Sequence, residues 1–151
     1  MPMTAEDAQA RVHRVLREEI THAHVDDDGD LNFRSGASHV WVIVRAPWDD
    51  ERQIIDIHAI TNSEVPVTDD LRAWVGDKAN SYIFGQVSYL RDRDDPDVAR
   101  VSMNHRLLAE GAGDEAIVVA VRAVAVSSRR VAREVKDRFG GDTWHPFPEG
   151  E

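Results

Sequence analysis

Between positions 116 and 126 the chain reads Ala-Ile-Val-Val-Ala-Val-Arg-Ala-Val-Ala-Val, and Arg122 is the single polar side chain. Gly111 and Gly113 precede the run, Asp114 and Glu115 open it, and no proline or glycine interrupts the chain until Gly140. Acids in a first turn and Arg133, Lys136 and Arg138 in the last turns suit the helix dipole, and glycine suits the left-handed position after a helix end. The pattern predicts a helix over 114–139 whose first half is apolar around nearly its whole circumference. Such a helix needs cover on more than one side. The surface over 116–126 exceeds what one sheet face can cover, and this half-helix or an exposed sheet edge is left for a second copy. A homodimer is therefore expected, with Val118, Val121, Arg122 and Val126 at its interface.

The residues before this helix supply a sheet. Thr4 with Asp7, then Ala8, Val12, Val15, Leu16 and Ile20 at helical spacing, predict a first helix over 5–20. Asp28-Gly29 favours a tight turn between an extended stretch at 22–25 and the alternating Leu31 to Arg34. The run 39–45, apolar on both faces, suits a central strand. Residues 53–60 form the next strand, paired antiparallel with it. Thr68 caps a second helix over 69–80, and 84–91 with 98–107 form a second hairpin around the charged turn 92–97. Helix, four strands, helix, two strands, helix is the order of a two-layer α+β sandwich with a largely antiparallel sheet. A single domain over 1–141 is expected, with an irregular tail at 142–151.

Composition narrows the function. At 151 residues with 42% apolar and 30% charged side chains, the chain has the make-up of one folded domain. Its 28 acidic against 18 basic residues give a net charge of −10, which repels phosphate backbones and anionic lipid surfaces. Neither nucleic acid nor membrane is an expected partner, and an acidic surface favours a basic or neutral one. The absence of cysteine excludes disulfides, thiolate metal sites and cysteine nucleophiles. With no apolar leader and no membrane-length apolar run, a cytoplasmic location is expected.

Few residues offer chemistry. His22 and His24, two apart beside Asp26, Asp28 and Asp30, are the sharpest metal candidates. A calcium loop would need a glutamate at the twelfth place, and counting from His24 that place holds Ser35. The simpler reading is a hairpin turn with solvated acids, and no metal or other cofactor is expected. Ser35, Ser38, Ser81, Ser127 and Ser128 lie in no nucleophile elbow. An enzyme alternative rests on Asp56 and His58, which share one face of a strand, with His39 and His105 expected in the same sheet-lined pocket as an acid–base site. Four tryptophans are a large aromatic content. Trp41 suits the core, whereas Trp48, Trp74 and Trp144 are candidates for exposed anchors, with Trp48 and Trp74 expected in a peptide-binding groove.

Several of these residues together resemble a known family. Asp28-Gly29-Asp30-Leu31, the strand 40–44, Val65-Pro66 before a short helix, Asn80 ahead of Gly85, and a final helix closing on Phe139-Gly140-Gly141 are similar to YbjN-type and type III secretion chaperone-like domains. The resemblance covers most of the chain. It implies an α-β-β-β-α-β-β-α fold, here with an extra strand near 53–60, and frequent dimerisation. It also implies a non-catalytic role, chaperone or regulatory adaptor, in binding a protein or peptide.

Overall fold

A computed structural model describes residues 3–47 and 52–149. The elements run α1 (Ala5–Glu19), β1 (His24–Val25), β2 (Leu31–Ser35), β3 (Ser38–Arg45), β4 (Ile54–Pro66), α2 (Asp69–Lys78), β5 (Gln86–Arg91), β6 (Val98–Leu108), α3 (Asp114–Phe139) and β7 (Asp142–Thr143). All strand pairs are antiparallel, in the order β1-β2-β3-β4-β6-β5, with β7 joined to β4. The α+β fold expected from the sequence is the fold observed. The extra strand is β4. It runs six residues past Ile60, through Thr61, Asn62 and Ser63, and lies between β3 and β6 as the spine of the sheet.

Local chemistry places the helices. Thr4 Oγ1 accepts the Asp7 N–H at 3.1 Å, and Thr68 Oγ1 accepts that of Leu71 at 3.1 Å, so both caps satisfy an otherwise unpaired donor. α1 buries Ala8, Val12, Val15 and Leu16, one face at helical spacing. α3 buries Ile117, Ala120, Val121, Val124, Ala125, Ser128, Val131, Ala132 and Val135 against the sheet, with Leu31, Phe33, Val40, Val42, Ile55, Ile57, Ala59 and Met103 in the same core. Three polar bonds dock it there: Ser35 Oγ donates to the Ala125 carbonyl at 2.7 Å, the Ser38 and Ser128 hydroxyls meet at 2.7 Å, and Asn62 Nδ2 donates to the Ala132 carbonyl at 3.0 Å. The serines around Gly36 thus hold a helix on a hairpin.

The flank of α3 not facing the sheet meets α1. Val118 lines the crevice between the two helices with Val15, and Arg122 Nη2 reaches Glu19 Oε2 at 2.6 Å. The sheet and α1 thus cover two sides of the apolar run within one chain, while Val119 and Val126 stay exposed.

Candidate functional site

Strand parity divides the sheet into two faces. On β4, Ile55, Ile57 and Ala59 point into the helix layer, so Ile54, Asp56, His58 and Ile60 point to the opposite, helix-free face. Register lines up three rows there: Trp41–His58–Asn104–Gln86, His39–Ile60–Ser102–Ser88 and Ile43–Asp56–Arg106.

The β3 half of this face is covered by the chain's own C-terminal segment. β7 pairs with Asn62 and Ser63 of β4. The His145 N–H then donates to the Ala37 carbonyl at 2.9 Å, and Arg34 Nη2 donates to the Pro146 carbonyl at 2.6 Å. Trp144 meets Trp41 edge to face, centroids 5.2 Å apart. The His39 and His145 rings are joined by a 2.8 Å Nδ1 to Nε2 bond, and His39 Nε2 lies 2.9 Å from Asn32 Oδ1. Asn32 Nδ2 donates to the Asp30 carbonyl, so Oδ1 is the acceptor facing His39. His39 consequently carries its proton on Nε2, and its Nδ1 accepts from His145. Burial first, and then the neighbouring His145 and His24, hold the His39 pKa down at about 4.

The β4–β6–β5 half is open. It forms a hollow of about 890 Å³ whose lining includes Arg45, Ile54, Asp56, His58, Ser88, Leu90, Ser102, Asn104 and Arg106. Asp56, 3% exposed, receives Arg45 Nε at 3.1 Å and Arg106 Nε at 3.7 Å. Asn104 stands between Asp56 and His58: its Nδ2 lies 3.4 Å from Asp56 Oδ1 and 2.7 Å from His58 Nδ1. Burial lowers the His58 pKa, opposed by the Asn104 bond and by Asp56. β5, the outer strand on this side, carries Leu90, which is 71% exposed.

A family profile described as T3SS (YopN, CesT) and YbjN peptide-binding chaperone 1 matches residues 6–146, nearly the whole chain. The chain belongs to this family. Comparison with curated proteins finds no match. Membership of a family of peptide-binding chaperones implies a protein or peptide as partner. Among the described residues no helix is long and apolar enough to cross a membrane.

The residues singled out in the sequence are distributed as follows in this chaperone-family domain. Asp56 and His58 do share a face, but His105 does not join them: it pairs with Ile57 on the helix side, where Phe84 covers its ring at 5.2 Å and its Nδ1 accepts the Gly85 N–H at 3.2 Å. Burial lowers its pKa. Trp74 is a core residue, not a surface anchor. It is 6% exposed, its Nε1 donates to Glu134 Oε1 at 3.1 Å, and its ring packs on Phe139. The helical face that carries Leu71 and Val75 rotates it inward. Trp48 lies outside the described residues. Trp41 sits half-buried on the helix-free face under Trp144, paired across the strands with His58. Of the four residues expected at a dimer interface, Val121 is fully buried and Val118 half-buried, while Arg122 and Val126 are exposed.

His22 and His24 do not converge. The His22 ring packs edge-on against Phe33 and bonds the Arg34 carbonyl at 2.9 Å, whereas His24 stands beside His39. One oxygen each of Asp26, Asp28 and Asp30 lies within 4.8 Å of the others. Asp26 Oδ1 is already engaged by the N–H groups of Asp28 and Asp30, both at 3.0 Å, and Gln9 Nε2 ties Gly29 to α1 at 2.7 Å. Burial, reinforced by Asp26 and Asp28, raises the Asp30 pKa. This is a clamped turn. The residues that build the hollow, Arg45, Asn104, Arg106 and Leu90, were not singled out in the sequence. Their only signal there is alternation on strands whose pairing partners are not written in the chain.

Proposed function

We propose that this domain binds an extended segment of another protein in the hollow on the helix-free face, beside β5, without catalysing a reaction on it. The supporting observation is the C-terminal segment itself. Residues 142–146 are held on the adjoining half of the same face by backbone pairing, carbonyl hydrogen bonds and the edge-to-face contact of Trp144 with Trp41. That is how an extended peptide is recognised: main-chain bonds give affinity, and pockets for side chains give specificity. The hollow offers apolar Ile54 and Leu90 next to the guanidinium donors of Arg45 and Arg106, and β5 at its side is an edge strand with main-chain groups to pair.

The acid–base alternative is disfavoured by the same geometry. Asp56 is committed to two guanidinium groups, and its connection to His58 runs through the Asn104 amide, which carries no proton that titrates near neutrality.

An array of immobilised 12-residue peptides of varied composition, probed with wild type and with the Leu90→Glu/Arg106→Glu variant, tests the reading. Peptides captured by wild type should lose about tenfold or more in affinity, about 1.4 kcal/mol. Retention of every captured peptide by a variant with wild-type circular dichroism would remove the hollow as the seat.

A further inference from the structure

The outer surface of α3, on the opposite side of the molecule from the hollow, carries a charge that the net value of −10 conceals. Two shallow hollows meet at Val126. One is lined by Arg129, Arg130, Arg133, Glu134, Asp137 and Arg138, the other by Tyr82, Ile83, Phe84 and Arg122. Five arginines thus line them beside two carboxylates, and Arg122 is already paired with Glu19. Glu134 is turned to Trp74 and lies 3.5 Å from Arg138, which leaves Asp137. Among the described residues Arg129 and Arg130 enter no ion pair.

The centre of this strip is apolar. Ile83 is 93% exposed, Val119 45% and Val126 42%. Positions 119, 122, 126, 130 and 133 recur every three or four residues, so they form one stripe about 21 Å long along the helix. The cations are partly held in place. The Arg129 stem packs over Gly36, where an added Cβ would come within 2.7 Å of Arg129 Cγ, and the Arg133 guanidinium lies 3.7 Å above the Phe147 ring. Ordering them on binding costs less entropy than ordering free side chains.

We infer that this strip is a second docking surface, for an acidic segment of another protein whose apolar side chains cover Ile83 and Val126 while its carboxylates meet Arg129 and Arg130. Exposed apolar side chains ringed by cations fit an amphipathic acidic partner, and opposite charge raises its encounter rate. Nucleic acid fits less well. The apolar centre offers nothing to a phosphate backbone, and the rest of the chain repels one. The inference does not depend on the sheet-face reading, because no residue is shared between the two surfaces.

The probe is a fluorescein-labelled helical peptide of about 18 residues with leucines three and four apart flanked by glutamates. Fluorescence anisotropy should show binding that weakens about tenfold or more in Arg129→Glu/Arg130→Glu and in Val126→Asp, weakens with salt, and is unchanged in Leu90→Glu/Arg106→Glu. A probe with lysines for the glutamates should not bind. No binding of the acidic probe at about 1 mM, equal binding of the lysine probe, or indifference to Arg129→Glu/Arg130→Glu would overturn the inference. It would also be overturned by tighter binding of single-stranded oligo-dT, which would assign the strip to nucleic acid. A dimer mass in light scattering abolished by Arg129→Glu/Arg130→Glu would overturn it in favour of a contact between copies.

Discussion

Acidification should loosen this domain well above the pH at which carboxylates titrate, and His39 is the main reason. In the folded chain its Nε2–H donates to Asn32, and the site for a second proton, Nδ1, faces the N–H of His145. The ring is 8% exposed and held neutral to about pH 4, against an unfolded value near 6.5. Between those values the unfolded chain binds more protons than the folded one, so stability rises with pH and is lost as pH falls from about 6.5 toward 4. From pH 7.5 to 4.5 this single group removes about 2–3 kcal/mol. With a urea slope of about 1–3 kcal/mol/M, the midpoint moves by about 1 M or more. His58, His105 and His145, whose pKa values are also lowered, act with the same sign. The comparison with His39→Phe isolates the one residue. The variant keeps a ring beside Trp41 but leaves Asn32 Oδ1 without its donor, so it should be less stable at pH 7.5 by about 1–3 kcal/mol. It should lose less on acidification, and the two stability curves should converge near pH 4.5. Urea unfolding followed by tryptophan fluorescence at half-unit pH steps measures this. Parallel curves for wild type and variant would refute the protonation account of His39.

Two further perturbations test how the termini and turns are tied down. Gly141 has φ +78°, and an added Cβ would come within 2.7 Å of the Ser63 carbonyl oxygen; Gly141→Ala should cost about 2 kcal/mol and release the C-terminal segment, seen as a red shift of Trp144 emission with the helices intact by circular dichroism. Arg11 donates to the Ala109 and Ala112 carbonyls and pairs with Asp114 Oδ1 at 2.9 Å, which holds the Asp114 carboxyl below its ordinary range; Arg11→Leu should destabilise by about 2 kcal/mol in chemical denaturation and move the Asp114 titration, followed by NMR, up toward the usual aspartate value.

Local chemistry alone determined most of the elements. Caps at Thr4 and Thr68, the stop at Gly140 and the periodicity between them place α1, α2 and α3 to within about two residues, because caps and amphipathic spacing act inside one segment. The two hairpins β1–β2, around Asp28-Gly29, and β5–β6 are equally local. The demand that α3 be covered on two sides was also legible, though not that α1 would meet it within one chain. Tertiary structure decided the rest. β4 continues through Thr61, Asn62 and Ser63, past the end at residue 60 expected from the sequence, because β6 and β7 pair with this stretch and Asn62 reaches the Ala132 carbonyl. Alternation showed that Asp56 and His58 share a face. It could not show that β6 would lie beside them and insert Asn104 between them, or that His105 would fall on the far side. Period-two parity belongs to one strand, whereas register between strands distant in sequence is set by long-range pairing that minimises exposed apolar surface across the whole sheet. Net charge is silent on arrangement in the same way. The value of −10 is a sum over the whole chain, and it does not show that Arg129 and Arg130 stand beside exposed Val126 and Ile83.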